Sequence, residues 1–170
     1  MIALLAPDAL GGLVPGRIPV RAILFDKSDA ANWALGWHQD RTIAVRKRAD
    51  VAGFGPWSVK TGMPHVEPPL AIIERMLTIR VHLDPVDADN APLLIAPGSH
   101  RLGRIAEPEI DSVVAQCGAH ACLAERGDAW LYAMPILHAS AAAGMPRRRR
   151  VLQIDFSADR LPAPLEWLGI

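Results

Sequence analysis

The chain has 170 residues, half of them apolar, with 18 basic and 18 acidic side chains and a formal net charge of zero. That length encloses one sizeable core but not two ordinary enzyme domains, so residues 1–170 are expected to form a single domain. The balanced charge provides no global field to recruit nucleic acid or an anionic membrane surface, which leaves a small molecule as the expected partner.

The N-terminal stretch is apolar, yet Asp8 interrupts it, no basic residue precedes it, and Pro15 and Gly16 follow, a poor pattern for a signal peptide. No other segment approaches a membrane span. Cys117 and Cys122 form neither a CxxC pair nor half of a thiolate metal site. They suit a reducing compartment, and a cytoplasmic location is expected. Fifteen prolines and thirteen glycines, spread along the chain, indicate many short elements and frequent turns.

β-branched and aromatic residues between turn signals predict strands over Ile18–Phe25, Trp37–Val45, Met76–Leu83, Pro92–Ala96, Ala129–Ala133, Leu137–Ala142 and Arg149–Ser157. Seven such strands are nearly a full set for a jelly-roll barrel. Short helices are predicted over Pro69–Met76 and Pro108–Gln116, each opened by a proline whose missing N–H costs nothing there, and both are expected outside the barrel. The stretch from Arg46 to Pro69 has no clear periodicity and is read as a lid or binding loop.

His38 and Asp40 are two apart in a segment read as extended, so both side chains leave one face and can approach one ion. A metal site needs a third ligand. His138, in the apolar run Met134–Ala143, is either that ligand or a satisfied core histidine. Arg149, eleven residues on, favours the first reading. Two histidines and a carboxylate on one face of an iron leave three positions open, two for a 2-oxo acid and one for dioxygen. The far carboxylate of 2-oxoglutarate would then be buried, and a bidentate guanidinium is the partner such a group needs.

The segments WHQD at Trp37–Asp40, LTIRVHLD at Leu77–Asp84, the DN-x-PLLIAPGSH run ending at His100, and LHAS followed by the arginine run and VLQIDFS carry a resemblance. Over nearly its whole length the chain resembles the phytanoyl-CoA dioxygenase family of iron(II)- and 2-oxoglutarate-dependent oxygenases. The resemblance implies an all-β, cupin-like double-stranded β-helix with a few short flanking helices, Fe(II) as metal, and O2 and 2-oxoglutarate as co-substrates. By position it implies Arg149 on the co-substrate carboxylate, Ser140 bonded to the same group, Arg80 lining the pocket from the neighbouring strand, and Leu24 in the co-substrate wall. It implies hydroxylation of a small molecule with release of succinate and CO2. Asp40 favours a hydroxylase over a halogenase, which would carry glycine or alanine there. Family members commonly have glycine where this chain has Ala91, so a positive φ is not expected at that turn.

Several residues carry competing readings. The run Arg147–Arg150 suggests nucleic acid, but strand alternation turns Arg149 inward and its neighbours outward, and no aromatic platform interleaves it. His100 is a rival third ligand, though a structural hydrogen bond suits its tight turn better. His82 shares a face with Arg80 and becomes a candidate substrate group. His65, in the expected lid, is either a surface histidine or a substrate contact. Trp37 is expected to point away from His38, and Trp33 and Trp57 are candidates for an apolar pocket wall. Two other functions fit a related barrel: a non-oxidative cupin-like metalloenzyme, and a catalytically silent metabolite-binding module.

Overall fold

The computed structural model describes residues 12–145 and 147–170. Eleven strands are present among them: β1 (Ile18–Lys27), β2 (Leu35–His38), β3 (Ile43–Ala44), β4 (Trp57–Lys60), β5 (Met63–Val66), β6 (Leu77–His82), β7 (Leu93–Ile95), β8 (His120–Cys122), β9 (Ala129–Ala133), β10 (His138–Ser140) and β11 (Arg149–Ser157). Two α-helices with both ends among the described residues accompany them, α1 (Leu70–Arg75) and α2 (Ile110–Cys117), with 3₁₀ turns at Ser99–Arg101 and Glu107–Glu109. No helix among the described residues is long and apolar enough to cross a membrane.

Two four-stranded antiparallel sheets form the double-stranded β-helix, one ordered β1-β11-β6-β9 and the other β2-β10-β7-β8. Leu93 and Cys122 of the smaller sheet join Tyr132 of the larger in one buried cluster between them. Alternation sorts the larger sheet into two faces. Ile79, Val81, Ile154 and Phe156 pack on its outer side with Val14. Its inner side is unusually polar: the register sets Lys27 beside Arg149, Ile23 beside Gln153 and Arg80, and Arg21 beside Asp155 and Thr78. Helix α2 covers the smaller sheet from outside, with Ile110 and Val113 against Leu137 and Trp37. Trp37 thus points away from the cavity, as alternation requires.

The structure departs from expectation in three places. The predicted strand Trp37–Val45 is broken, because β2 ends at His38 and β3 belongs to a third sheet, β3-β5-β4. Asp40 therefore lies in the connection just past the strand. The stretch expected as a lid holds an ordered hairpin, β4–β5, whose two-residue turn places Thr61 and Gly62 at φ 51° and 77°. Positive φ at both positions is the geometry that matches strand twist, here with Thr61 where Asn or Asp is the usual residue. Ala91 adopts φ 51° without being glycine. Its buried carbonyl accepts hydrogen bonds from the Arg149 guanidinium and from Ser140 Oγ, which hold the strained residue in place.

Candidate functional site

A cavity of about 410 Å³ opens between the sheets, with His38, Asp40 and His138 near one part of its wall and Lys27, Ser140 and Arg149 at another. His38 and His138 face each other across the β2–β10 ladder, their ring centroids 4.2 Å apart. Asp40 completes the group, with Oδ2 3.9 Å from His138 Nε2. One ligand atom from each of the three lies within 4.8 Å of the others, a separation one small ion can bridge.

The outer nitrogens of both rings fix their tautomers. His38 Nδ1–H donates to the Gly36 carbonyl at 2.8 Å and His138 Nδ1–H to the Ile136 carbonyl at 2.9 Å. Each Nε2 is left with its lone pair, the state a metal requires. Burial keeps His138 easier to deprotonate than a free imidazole, the Asp40 charge offsetting only part of that effect. For Asp40 burial works against the carboxylate, but the surrounding positive groups, Arg21 and Arg80 among them, outweigh it and favour the ionised form. Two neutral imidazoles and one carboxylate, with an open cavity beside them, suit a divalent transition metal such as iron(II).

Two polar side chains fix the frame of this cluster. Gln39 is buried between His38 and Asp40, donates to the carbonyls of Gly103 (3.0 Å) and Pro135 (2.8 Å), and accepts from Ile105 N–H. Ser99 Oγ accepts the Leu137 N–H at 2.9 Å, one residue before His138. The hydrogen bond expected of His100 is thus made by its neighbour. His100 lies in a 3₁₀ turn, its buried Nδ1 unpartnered, and outside the three-residue cluster.

At the other part of the cavity, Arg149 is 5% exposed and Lys27 equally buried. Lys27 Nζ donates to Trp33 O at 2.6 Å and Ser140 Oγ at 3.2 Å, and sits 4.8 Å from the Trp33 ring centroid. Neither cation has a carboxylate partner among the described residues, and Arg149 Nε has no partner at all. Burial, then the neighbouring Arg149 and Arg80 charges, lowers the Lys27 pKa to about 8. Burial likewise lowers that of Arg149 to about 10. An unpaired buried cation pair is costly, and a dianion with one carboxylate against it would relieve the cost. The residues present therefore fit 2-oxoglutarate as well as the metal.

The remaining candidates divide. Arg80 and Trp33 line the cavity. Leu24 does not: it is 55% exposed on the outer face, while Ile23, Phe25 and Lys27 point in. Carrying β1 two residues past its expected end at Phe25 would have found Lys27 by alternation. Trp57 packs against the Val20–Met76 core cluster and stacks under Arg48, away from the cavity wall. His65 is neither a surface residue nor a cavity-lining one. It is buried, donates from Nδ1 to Met63 O and receives Arg21 Nη1 at Nε2 over 3.4 Å. His82 is buried without a partner for either nitrogen and does not line the cavity; burial and Arg149 lower its pKa to about 4, so it is neutral.

A β-helix with two histidines and a carboxylate at its open cavity defines the metal-dependent cupin-like class. The family model for phytanoyl-CoA dioxygenase (PhyH) matches residues 4–151, and the chain belongs to that family. Solved structures with the same fold include apo EctD from S. alaskensis at 20% identity and TM-score 0.65, covering 96% of this chain and 52% of that one. EctD with bound Fe gives 20% identity and TM-score 0.63, over 91% of this chain and 49% of that one. SnoN, a non-haem α-ketoglutarate-dependent epimerase from nogalamycin biosynthesis, gives 15% and 0.62, over 96% and 63%. The chain thus spans from about half to just under two thirds of the length of these proteins. No curated protein matches it in sequence.

Proposed function

We propose that the protein is an iron(II)- and 2-oxoglutarate-dependent dioxygenase that hydroxylates a small molecule and releases succinate and CO2. The observation that carries this reading is the presence, in one cavity, of three ligand groups with free electron pairs and a buried cation pair with no carboxylate of its own. His38, Asp40 and His138 would hold the metal. Arg149 and Lys27 would hold the distal carboxylate, with Ser140 Oγ turned from Ala91 O toward it. Iron(II) with a chelated 2-oxo acid supplies the activation of dioxygen; the chain supplies position, charge and exclusion of water. Family membership, and the Fe and α-ketoglutarate named for EctD and SnoN, support the reading. SnoN's epimerisation shows that this fold also carries outcomes other than hydroxylation.

The test is anaerobic. Iron(II) and then 2-oxoglutarate are added to the purified apoprotein, and the visible spectrum is followed for the weak metal-to-ligand charge-transfer band of a chelated 2-oxo acid. The band is expected. Its absence with iron demonstrably bound would sink the dioxygenase reading and leave the non-oxidative metalloenzyme. The band without any succinate across a broad substrate panel would favour the silent binding module.

A further inference from the structure

Six cationic side chains line the cavity, Arg21, Lys27, Arg41, Lys60, Arg80 and Arg149, against one carboxylate, Asp40, in a chain whose overall charge is balanced. Arg21 is accounted for by Asp155, whose Oδ2 lies 2.6 Å from its Nη2 behind the cavity wall. Among the described residues the other five form no ion pair. The contrast within one short run is sharp: Arg147, Arg148 and Arg150 point outward and pair with Asp87, Asp26 and Asp84, while inward Arg149 has no acid.

Formal charges show how much anion the cavity calls for. A divalent iron, Asp40 and dianionic 2-oxoglutarate together carry one net negative charge, which Lys27 and Arg149 already more than offset. Arg41, Lys60 and Arg80 then remain unmatched. Arg80 is the inner one of the three. Its Nε donates to Gln153 Oε1 at 2.9 Å and its guanidinium lies 5.1 Å from the Phe25 ring centroid, which fixes the group while its Nη atoms form no hydrogen bond among the described residues. Lys60, on β4, is tied only to Thr42 Oγ1 at 2.9 Å; Arg41, directly after Asp40, is half-buried and donates from Nη2 to the Ile105 carbonyl, so it adds charge at the rim without a free guanidinium face of the kind Arg80 keeps. A guanidinium whose stem is fixed and whose outer N–H groups are free is arranged to receive an oxyanion.

We propose that the substrate of this site carries a carboxylate or phosphate group, received by Arg80 inside the cavity and drawn in by Lys60 and Arg41. The proposal rests on the dioxygenase reading for what the other cations do, and it makes its own demand on binding. The substrate, with its anionic group, would occupy the cavity together with the co-substrate, not in its place. The rim cations steer, so their contribution fades with added salt, whereas the contact at Arg80 persists.

Protein loaded with Ni(II) and saturating 2-oxoglutarate is titrated calorimetrically with matched probes, hexanoate against hexanamide, and with inorganic phosphate. Hexanoate or phosphate is expected to bind about tenfold more tightly than the amide, the scale of one charge-assisted hydrogen bond. Arg80→Gln should shrink that preference to below about threefold, and Arg80→Lys should restore part of it. Lys60→Gln, at an exposed position, should lower it by about twofold and weaken its salt dependence. Equal binding of acid and amide overturns the proposal. So does a preference that survives Arg80→Gln, or a probe that displaces 2-oxoglutarate, since the free cations would then belong to the co-substrate. The charge-transfer experiment on the same preparations reports separately on the dioxygenase reading.

Discussion

The two functional parts of the cavity are built on opposite principles. Around His38, Asp40 and His138 the supporting polar groups are bonded: both outer ring nitrogens have carbonyl partners, Gln39 makes three hydrogen bonds, and Ser99 pins the backbone beside His138. Around Arg149 the groups are buried and short of partners: Arg149 Nε and both His82 nitrogens have none, and Lys27 relies on carbonyl and hydroxyl oxygens. A bonded frame holds ligand atoms at a fixed separation with or without an ion. A cluster of under-matched cations stays electrostatically poised until an anion arrives. The metal end is therefore preorganised in shape and the arginine end in charge.

The largest effect should come from breaking the metal end. His138→Ala should lower iron(II) affinity by more than the roughly 10- to 100-fold typical of losing an outer-shell partner. His100→Ala, which removes a side chain outside the cluster, should leave it within about twofold of the parent by the same calibration. Competition with a coloured chelator reads both, and the reverse pattern would move the metal site. Arg149→Ala comes next. It should weaken 2-oxoglutarate by about 2–5 kcal/mol, the usual effect of truncating one side of a buried charged contact, while iron affinity holds. Arg149→Lys should recover only part, because the two-pronged geometry is lost. Equal loss of iron in the alanine variant would show that the two ends are not separable in this way.

Much of this was legible in the amino-acid order, and the misses have physical causes. Clusters of β-branched and aromatic residues between turn signals located β1, β6, β9 and β11, and alternation along β11 turned Arg149 inward, because a long strand between two chemically distinct faces repeats the pattern often enough to be seen. The hairpin β4–β5 and the three-residue β8 were not found: unlike the equally short β7 and β10, which sit in apolar runs, they mix polar and apolar residues without a β-branched cluster, and Pro64 and Thr61 mask the turn. The H-x-D pair was visible, but not that the ladder ends at His38, since that break is set by Gln39 bonding to Gly103 and Pro135, far away in sequence. Ala91 was misjudged for the same reason. Local preference argues against φ 51° for alanine, and the contacts that hold it come from Arg149 and Ser140. Leu24 was carried over by position from the resemblance, which does not see on which side of β1 a residue lies; alternation puts Leu24 outside and Lys27 at the cavity, and ending the strand at Phe25 left Lys27 unread.

The smallest expected effect isolates charge at the arginine end. Lys27 loses its proton with a pKa of about 8 in the folded protein, because burial and then Arg149 and Arg80 disfavour its charged form. In the unfolded chain it stays protonated to its ordinary value of roughly 10.4. The penalty on the buried ammonium is thus fully present below the folded pKa and is relieved as pH rises between the two values, so this group makes the apoprotein more stable with rising pH across that window. Co-substrate binding should run the other way, since the carboxylate prefers the charged lysine and its affinity falls as that proton is lost. Calorimetric titration of the Ni(II) protein with 2-oxoglutarate between about pH 7 and about pH 9 should show a decline of up to about tenfold, the scale of one charged hydrogen bond. Lys27→Arg, which keeps its charge throughout that range, should flatten the profile, and Lys27→Met should flatten it at a lower affinity. An unchanged slope in both variants would mean that the distal carboxylate is held by Arg149 and Ser140 without Lys27.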